Sequence, residues 1–537
     1  MNVMGSETGM RPNIILFNPD EMRWDGIGYL GNPAACTPYL DRMIQTDAVS
    51  FHNTFCQNPV CVPSRCSMFT GLYPHVHGHR TMQYLLHPGE DNLFGELKSH
   101  GYHVWMNDRN DLFAGQIPGW MESNADEIYH PECAEKIEVL PDQKISGEIY
   151  SHFKGILSND SVTRDDMSVA AAIHRIRTWD SDQPLLMFLG LTYPHCPYQI
   201  EEKYYRKIDQ RKLPKRVKFS ECHNKSKMMQ ELHRLENLDH LSESQWDELR
   251  TVYLAMCSKI DDQFRMVCDA LKEKGMYQNS LILFFSDHGD FTGDYGLVEK
   301  AQSTFEDCLT RVPLVVKPPE GESCVPGIRE SITELIDIYG TCTDYAGFTP
   351  QRTVFARSLR NDLKTRDAEG RPFAFCEGGR LPQEQHCDEY HSAGGGSGPS
   401  KAMAYYPKML AQTDEEAHAK AAMIRDRKYK YVSRITGEDE FYDLIKDPKE
   451  THNRIDCAEY QEVINKYRLS LLRFYQKTAD VVPYQIDMRQ TPQMMWNMLK
   501  DICPKELSEQ VKDMIRKGMG AGVIITLIQE WKNKKEK

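Results

Sequence analysis

Residues 12–21 read Pro-Asn-Ile-Ile-Leu-Phe-Asn-Pro-Asp-Glu, and this stretch predicts the first strand of the fold. Its apolar part, Ile14 to Phe17, is bounded on both sides by Asn and Pro, a pattern typical of a short parallel strand buried on both faces. Asp20 and Glu21 follow at its carboxyl end, where open α/β sheets place their binding sites. Taken alone, the two carboxylates are explained equally well as ordinary solvated residues at the end of a strand.

Further apolar runs occur along the chain at residues 101–106, 184–191, 280–285 and 310–316. Segments with helical periodicity lie between them, at residues 93–100, 166–179 and 246–271. This alternation of strands and helices predicts an α/β fold class for most of the chain.

The composition is that of a soluble globular enzyme. Of the 537 residues, 40% are hydrophobic and 27% are charged, which argues against a disordered or fibrous chain. The length predicts one large domain with a smaller one, enough to bury a closed polar site. A formal net charge of −13 argues against nucleic-acid and anionic-membrane partners, because these bind basic surfaces.

The amino terminus predicts a cytoplasmic protein. Residues 1–10 contain neither the basic start nor the apolar core of an export signal. No apolar run in the sequence approaches the length of a membrane span. The 16 cysteines are therefore expected to be reduced thiols.

Chemistry is predicted for residues 59–71, which read Pro-Val-Cys-Val-Pro-Ser-Arg-Cys-Ser-Met-Phe-Thr-Gly. A proline-bent loop there presents Cys61 near the Arg65 guanidinium at the start of a helix, whose positive end favours anions. These features alone indicate an activated cysteine.

Other interpretations of Cys61 stay open at this point. It could be an ordinary thiol or, with Cys56 and Cys66, a ligand of a metal or iron–sulfur cluster, although the chain lacks the paired Cys-x-x-Cys spacing of such sites. A buried packing role suits Cys66 better, because it stands among Ser-Met-Phe at residues 67–69 of an expected buried helix.

A histidine follows the apolar run at residues 184–191. The segment 192–198 reads Thr-Tyr-Pro-His-Cys-Pro-Tyr and places His195 between two prolines at the end of a predicted strand. On its own, a histidine in this setting is more often a packed or exposed loop residue than a functional one.

A second polar cluster, Ser-Asp-His-Gly-Asp at residues 286–290, follows the apolar run that ends at Phe285. Asp287 offers a hard oxygen and His288 an imidazole to a divalent cation. Two neighbouring ligands cannot make a whole metal site, so residues from other strand ends, Asp20 among them, are needed to complete it.

These motifs together resemble the formylglycine-dependent sulfatases, the type I sulfatases of the alkaline-phosphatase superfamily. The shared elements, in family order, are Asp20, Cys61-x-Pro-Ser-Arg65, Pro-His195-x-Pro and Ser-Asp287-His288-Gly with Lys300 downstream. The resemblance covers most of residues 11–350 and, more weakly, residues 370–455. It implies a large mixed, mainly parallel sheet between helices and a smaller C-terminal α+β subdomain with an antiparallel sheet.

The resemblance also implies a reaction and its cofactors. A maturation enzyme would oxidise Cys61 to formylglycine, whose hydrate attacks the sulfur of a sulfate ester, releases the alcohol and then expels inorganic sulfate. One divalent cation, expected to be Ca²⁺ with Mn²⁺ or Mg²⁺ as alternatives, would be held by Asp20, Asp287, His288 and the modified residue 61. The remaining catalytic residues implied are Arg65, Arg109, His195 and Lys300, and His195 is the best candidate to protonate the leaving oxygen.

The sequence departs from the family pattern in two places. Glu21 stands where relatives carry Asp or Gln, so the resemblance leaves its metal role open. Asp108-Arg109-Asn110-Asp111 stands where many relatives have Gly-Lys-Trp-His. Arg109 can replace the lysine as a cation, but Asp111 cannot replace the histidine as an acid at neutral pH without a strongly raised pKa.

Three regions are predicted along the chain. Residues 1–365 form the catalytic domain, in which residues 112–165 are expected to be substrate-facing loops. Residues 366–480 form the antiparallel-sheet subdomain, which includes a flexible glycine–serine segment at 394–400. Residues 481–537 form a helical extension whose apolar positions could contact a second subunit.

The predicted function is hydrolysis of sulfate esters, with a small sulfated carbohydrate as the expected substrate. One alternative is a phosphonate monoester or phosphodiester hydrolase of the same superfamily, which carries a similar metal set. The other is a noncatalytic metal- and sulfate-binding protein in which Cys61 stays unmodified.

Overall fold

The structure, a computed structural model, describes residues 11–131, 152–393, 398–401, 403–484 and 487–535. Residues 1–10, in which no export signal is predicted, lie outside this range. So do residues 132–151 of the loops predicted at 112–165, and residues 394–397 of the predicted glycine–serine segment. Within it, the strands are Asn13–Asp20 (β1), Val49–Phe55 (β2), His103–Asn107 (β3), Glu127–Tyr129 (β4), Phe153–Leu157 (β5), Leu185–Pro194 (β6), Tyr198–Glu201 (β7), Ser280–Phe285 (β8), Arg311–Val312 (β9), Leu314–Lys317 (β10), Gly327–Glu334 (β11), Ala374–Gly378 (β12), Ala421–Arg425 (β13), Tyr429–Arg434 (β14) and Glu440–Asp443 (β15).

The α-helices of the described ranges lie between and after these strands. They are Pro38–Thr46 (α1), Cys61–Thr70 (α2), Pro74–His77 (α3), Leu93–Ser99 (α4), Trp120–Asn124 (α5), Arg164–Arg177 (α6), Glu202–Tyr205 (α7), Lys227–Glu236 (α8), Glu243–Glu273 (α9), Asp307–Thr310 (α10), Asp337–Ala346 (α11), Glu389–Ser392 (α12), Tyr406–Ala411 (α13), Gln461–Thr478 (α14), Pro492–Leu499 (α15), Ser508–Arg516 (α16) and Ala521–Lys535 (α17).

The main sheet has the strand order β11-β2-β10-β8-β1-β6-β3-β4, with β9 paired to β2. Neighbouring strands from β8 to β4 are parallel, whereas β10 runs antiparallel to both β8 and β2. The strands β1, β2, β3, β6 and β8 therefore all end at the same edge. This arrangement confirms the predicted large, mixed and mainly parallel sheet.

Strand β1 is buried on both faces, as its continuous apolar run predicts. Alternate side chains point to opposite sides of a strand, so Ile15 and Phe17 join one apolar core and Ile14 and Leu16 join the other. Helices α6 and α9 pack in the first core, and α2, α4 and α11 in the second. The sheet is thus sandwiched by helices, and its polar chemistry is confined to the strand ends.

The apolar run at 310–316 does not form one strand. It is divided into the end of α10, the two-residue β9 and β10. Pro313 separates the two short strands, because proline has no N–H to donate to a sheet ladder. The prediction of a single strand there is wrong.

A separate sheet of the described residues has the order β12-β13-β14-β15 and is antiparallel throughout. This confirms the predicted smaller antiparallel sheet in the C-terminal part of the chain. By compactness, the described residues up to 349 and from 354 to 480 form one unit, and residues 350–353 with the described residues from 481 onward form another.

The second unit has its own small core, in which α15, α16 and α17 pack around Leu499, Val511 and Ile524. Met494, Met498 and Val523 are more than half exposed on its surface. Contact with a second subunit through these helices stays a prediction. Among the described residues, the helices are too short or too polar to cross a membrane.

Candidate active site

Cys61 is the first residue of α2 and is buried. Its Sγ lies 3.2 Å from Nε2 of His288 and 3.5 Å from Oδ1 of Asp20. Asp20 is the last residue of β1, and His288 follows β8, its parallel neighbour. Side chains that are far apart in sequence therefore meet because their strands end at the same edge of the sheet.

The Cys61 thiol is not activated. Burial and the neighbouring Asp20 carboxylate raise its pKa well above the ordinary value for cysteine. The Arg65 guanidinium does not offset this effect, because it donates to carboxylates. The interpretation of Cys61 as an activated cysteine is therefore wrong for the unmodified thiol.

The other two cysteines of this stretch lie apart from Cys61. Cys66 packs in the apolar core, as predicted, and Sγ of Cys56 lies 3.9 Å from the carbonyl oxygen of Leu309. Across the described part of the chain, the groups of converging metal donors include Cys61 but neither Cys56 nor Cys66. The three cysteines therefore do not form a cluster site.

Arg65 bridges two carboxylates from different strand ends. Its Nη2 donates to Oδ2 of Asp20 at 2.7 Å, and its Nε donates to Oδ2 of Asp287 at 2.8 Å. Nη1 donates to the carbonyl oxygen of Asn110 at 3.1 Å, and the guanidinium is fully buried. Arg65 thus fixes the position of both carboxylates.

His288 presents a nitrogen lone pair to the same centre. Its Nδ1 lies 3.0 Å from the carbonyl oxygen of Gly289, which can only accept, so Nδ1 carries the proton and Nε2 does not. Nε2 lies 3.6 Å from Oδ1 of Asp20 and 3.9 Å from Oδ1 of Asp287. Burial lowers the pKa of His288, which keeps the ring neutral.

These donors fit a divalent cation. One ligand atom from each of Asp20, Cys61, Asp287 and His288 lies within 4.8 Å of the others. The arginine contacts of both aspartates fall on Oδ2, which leaves Oδ1 of Asp20 near Cys61 and His288, whereas Oδ1 of Asp287 accepts from the backbone N–H groups of Glu21 and His288. Burial opposes ionisation of Asp20, but Arg109 and Arg65 hold its pKa well below the usual value, so it is a carboxylate at neutral pH.

Lys300 lies in a second cluster of polar side chains. Its Nζ contacts Oε2 of Glu21 at 2.9 Å, Oε1 of Glu299 at 2.8 Å and Nε2 of His195 at 2.9 Å. Burial opposes its charge, but Glu21 and Glu299 raise its pKa well above the ordinary value. Lys300 is therefore an ammonium ion.

His195 accepts from Lys300 in this arrangement. Its Nδ1 lies 2.5 Å from the carbonyl oxygen of Cys196, so Nδ1 holds the proton and Nε2 receives the Lys300 hydrogen bond. Burial and the Lys300 charge lower the pKa of His195 to about 3. The transferable proton of the pair consequently resides on Lys300.

Glu21 belongs to the Lys300 cluster. Its carboxylate lies with His195, Cys196 and Glu299, whereas Asp20 lies with the metal-type donors. Glu21 and Glu299 have φ values of 66° and 63°, a left-handed conformation that costs free energy for a residue with a side chain. Strain at both residues that contact Lys300 is typical of a functional site.

Arg109 and Asp111 are the more exposed members of the site. Nη2 of Arg109 donates to Oδ2 of Asp20 at 2.5 Å, and its side chain is 28% exposed. Oδ2 of Asp111 lies 3.7 Å from Arg65 and 3.9 Å from Arg109, and its side chain is 33% exposed. Both can meet a ligand that enters from solvent.

Two further charged residues, Glu299 and Lys408, lie beside Lys300 and were not predicted from the sequence. Lys408, on α13, reaches Oε2 of Glu299 at 3.1 Å and is buried with it. Burial opposes the charge of Lys408, but Glu299 raises its pKa above the ordinary value. No local motif marks either role, because a contact between residues 299 and 408 depends on tertiary packing alone.

A family model described as Sulfatase matches residues 12–348. The arylsulfatase K of Danio rerio is 26% identical over 364 residues, which span 63% of this chain and 65% of that relative. The arylsulfatase of Clostridium perfringens is 23% identical over 493 residues, which span 86% of this chain and 94% of that relative.

Solved structures share the fold. The phosphonate monoester hydrolase of Agrobacterium radiobacter is similar with a TM-score of 0.68 and 23% identity, over 87% of this chain and 96% of that one. The protein BT4656, solved in complex with its substrate D-glucosamine-2-N,6-O-disulfate, is similar with a TM-score of 0.66 and 18% identity, over 87% of this chain and 98% of that one.

Proposed function

Since this chain belongs to the sulfatase family of the alkaline-phosphatase superfamily and is a sulfuric ester hydrolase, we propose that it removes sulfate from small carbohydrates with a formylglycine made from Cys61 and one divalent cation. Membership confirms the resemblance identified from the sequence motifs. It also removes the alternative of a noncatalytic protein, because the matched family consists of hydrolases.

The observation that carries this proposal is the meeting of Cys61 with Asp20, Asp287 and His288 at one edge of the sheet. Position 61 lies within reach of metal-type donors, and Lys300 and Arg109 supply positive charge around it. Neutralising the nonbridging oxygens of a sulfate ester is the main electrostatic demand of its hydrolysis.

The raised pKa of Cys61 supports its modification. A buried neutral thiol is a poor nucleophile, so the unmodified chain has no strong nucleophile at this position. Once converted to formylglycine and hydrated, residue 61 supplies a hydroxyl nucleophile, and a bound cation would make that hydroxyl easier to deprotonate. Asp20, Asp287 and His288 would hold the cation, and Arg65 holds both aspartates in place.

The cation is proposed to be Ca²⁺, with Mn²⁺ and Mg²⁺ as competitors. Carboxylate oxygens suit all three ions. The imidazole of His288 is a softer donor than Ca²⁺ usually takes, which makes Mn²⁺ the stronger of the two competitors. Reloading metal-free enzyme with each ion in turn decides between them.

The remaining side chains position the sulfate and handle protons. Arg109 gives up part of its contact with Asp20 to bind sulfate oxygens, for which its planar fork is suited. Lys300 contributes a charge and the proton that leaves with the alcohol. His195 accepts a hydrogen bond from Lys300 and so holds the ammonium group in place, and the proposed acid is Lys300 positioned by His195.

A carbohydrate substrate is supported by the similarity to BT4656, which was solved with a sulfated glucosamine. The fold is also shared with a phosphonate monoester hydrolase, so phosphorus esters form the second candidate substrate class. At these identities the shared fold does not choose between the two classes.

A substrate panel tests the proposal. Matured enzyme is assayed for inorganic sulfate release from sulfated monosaccharides and disaccharides, and for hydrolysis of an aryl phosphodiester and a phosphonate monoester at equal concentration. We expect the highest kcat/KM on a sulfated sugar. A higher kcat/KM on either phosphorus ester would overturn the assignment of substrate class.

A further inference from the structure

Outside the active site, three side chains of the kind that bind metals come together at the two ends of the loop of residues 77–90. His77 ends α3, His79 follows two residues later, and Glu90 lies just before α4. Oε1 of Glu90 lies 2.8 Å from Nε2 of His79 and 3.5 Å from Nδ1 of His77. Ligand atoms from the three residues all lie within 4.8 Å of one another.

The hydrogen bonds of His79 leave its Nε2 facing a carboxylate. Its Nδ1 lies 3.1 Å from the carbonyl oxygen of Tyr84, which can only accept, so Nδ1 carries a proton. In the neutral ring, Nε2 then presents a lone pair to an oxygen of Glu90 at 2.8 Å. Two acceptors this close require either a proton or a metal ion between them.

The distances suit a small dication. Two ligand atoms about 2.1 Å from Zn²⁺ and separated by the tetrahedral angle lie about 3.4 Å apart. The spacing between His77 and Glu90 is 3.5 Å, and small side-chain rotations widen the 2.8 Å spacing between His79 and Glu90. Two imidazoles and a carboxylate form a donor set that Zn²⁺ takes in proteins.

Outer contacts hold these ligands in the manner of a metal site. The Nδ1–H of His79 is directed to a backbone carbonyl, and Oε2 of Glu90 accepts from the backbone N–H of His87 at 2.6 Å. The side chain of His79 is 5% exposed and that of His77 is 38% exposed. The group is therefore braced on its inner side and open to solvent on its outer side.

We propose that His77, His79 and Glu90 form a second metal site, which binds Zn²⁺ or a similar transition-metal dication with one coordination position open to solvent. The site is separate from the donors around Cys61 and does not depend on the proposed substrate. It closes the loop of residues 77–90, and cross-linking a flexible loop restricts mainly its unfolded conformations.

The loop connects two parts of the active site. The carbonyl oxygen of Arg80 accepts from the side-chain amide of Gln302, two residues beyond Lys300. The backbone of Leu86 pairs with Leu112 and Ala114, just after Asp111. Metal binding at this site therefore braces both the Lys300 segment and the segment that follows Arg109.

The test is a titration of the full chain with Zn²⁺ in the presence of excess Ca²⁺ and Mn²⁺, followed by calorimetry and by thermal unfolding. We expect one equivalent of Zn²⁺ bound with a Kd in the micromolar range or below, as for three-ligand sites, and a higher Tm with Zn²⁺. Co²⁺ in place of Zn²⁺ should give the visible absorption of nitrogen- and oxygen-bound Co²⁺.

Variants locate the bound ion. His77→Ala, at a partly exposed position, and Glu90→Gln should each weaken Zn²⁺ binding at least tenfold and remove the Tm increase. His240→Ala, at an exposed histidine outside the cluster, is the matched control and should retain both. An unchanged Zn²⁺ affinity in His77→Ala and Glu90→Gln, or no Zn²⁺ binding by the parent chain, would overturn the proposal and leave the protonated His79–Glu90 pair as the explanation.

Discussion

Nε2 of His195 accepts a 2.9 Å hydrogen bond from Nζ of Lys300. Because Nδ1 of the same ring donates to a backbone carbonyl, the imidazole has no second proton to give. We therefore propose that Lys300 donates the proton that leaves with the alcohol and that His195 holds the Lys300 ammonium group in place.

If Lys300 and His195 together serve the leaving oxygen, the loss of kcat caused by His195→Asn should depend on the leaving group. A sugar alkoxide must be protonated as it leaves, whereas a nitrophenolate leaves without a proton. We expect kcat on a sugar sulfate to fall about 10²-fold or more and kcat on a nitrophenyl sulfate to fall less than about tenfold. Steady-state rates on the two substrates measure the difference, and equal losses on both would argue against a role of the Lys300–His195 contact in protonating the leaving oxygen.

Glu299 and Lys408 are predicted to act as positioning residues for Lys300. Glu299→Gln removes one anion from Lys300 and leaves Lys408 with the more distant Glu389, at 3.6 Å. Lys408→Met removes one of the two ammonium groups that contact Glu299. Each change should lower kcat by about tenfold with little change in KM, a loss of about 1.4 kcal/mol.

A double-mutant cycle distinguishes this role from a general loss of stability. The double variant should be no slower than the slower single variant, because both changes break the same contact. Additive losses of kcat would show that the two residues act independently. Losses of kcat that accompany a lower Tm and disappear at lower temperature would show a purely structural role.

Arg109 is predicted to bind the sulfate group rather than to hold the fold. Its side chain is partly exposed, and its contact with Asp20 duplicates one made by Arg65. Arg109→Ala should lower kcat/KM by about 10²-fold, the effect of removing one donor from a developing anion. The kcat/KM of Arg109→Lys should lie between those of Arg109→Ala and the parent enzyme, because lysine keeps the charge but lacks the planar guanidinium.

Both Arg109 variants should keep the parent fold. Circular dichroism and Tm should be unchanged in both variants, since Asp20 keeps its Arg65 contact. If Arg109→Lys matched Arg109→Ala in kcat/KM, the geometry of the guanidinium and not its charge would carry the effect. If both variants kept the parent kcat/KM, Arg109 would have no role in substrate binding.

Buried His418 predicts a dependence of stability on pH. Within the described residues neither of its ring nitrogens has a hydrogen-bond partner, and burial with nearby Arg380 lowers its pKa to about 3. The unfolded chain takes up a proton near pH 6.5 and the folded chain does not, so stability falls as pH drops below about 6.5.

The size of this effect is on the order of 1 kcal/mol between pH 7.5 and pH 5.5. Urea unfolding at the two pH values measures it, with His418→Leu as the comparison. The variant should lose less stability over this interval than the parent chain. An equal loss in both proteins would show that His418 does not titrate on unfolding in this range.

The convergence of Asp20, Asp287 and His195 could be predicted from the sequence, because each lies at or shortly after the end of a strand that carries an apolar run. Parallel strands bring their carboxyl ends together. The state of the Cys61 thiol could not be predicted in the same way. The helix end and Arg65 suggested a lowered pKa, but burial and the Asp20 carboxylate raise the pKa of the thiol. Desolvation depends on the whole fold and cannot be estimated from neighbours in sequence.

The contacts of Glu21 with Lys300 and of Lys408 with Glu299 could not be predicted from the sequence. Glu21 adjoins Asp20 in the chain, yet its positive φ turns the carboxylate toward Lys300. Lys408 lies more than one hundred residues from Glu299 and meets it only through packing of α13. Local patterns predict strands and their ends, whereas such contacts depend on loop conformation.

The nucleophile proposed for this enzyme derives from Cys61. The most direct test is the initial rate of inorganic sulfate release by Cys61→Ala, prepared with the maturation enzyme beside the parent chain and assayed on the best sulfated sugar. We expect Cys61→Ala to be folded, with a Tm within a few degrees of the parent value, and to release sulfate at a rate indistinguishable from the uncatalysed background. Turnover at the parent rate by folded Cys61→Ala would contradict this proposal.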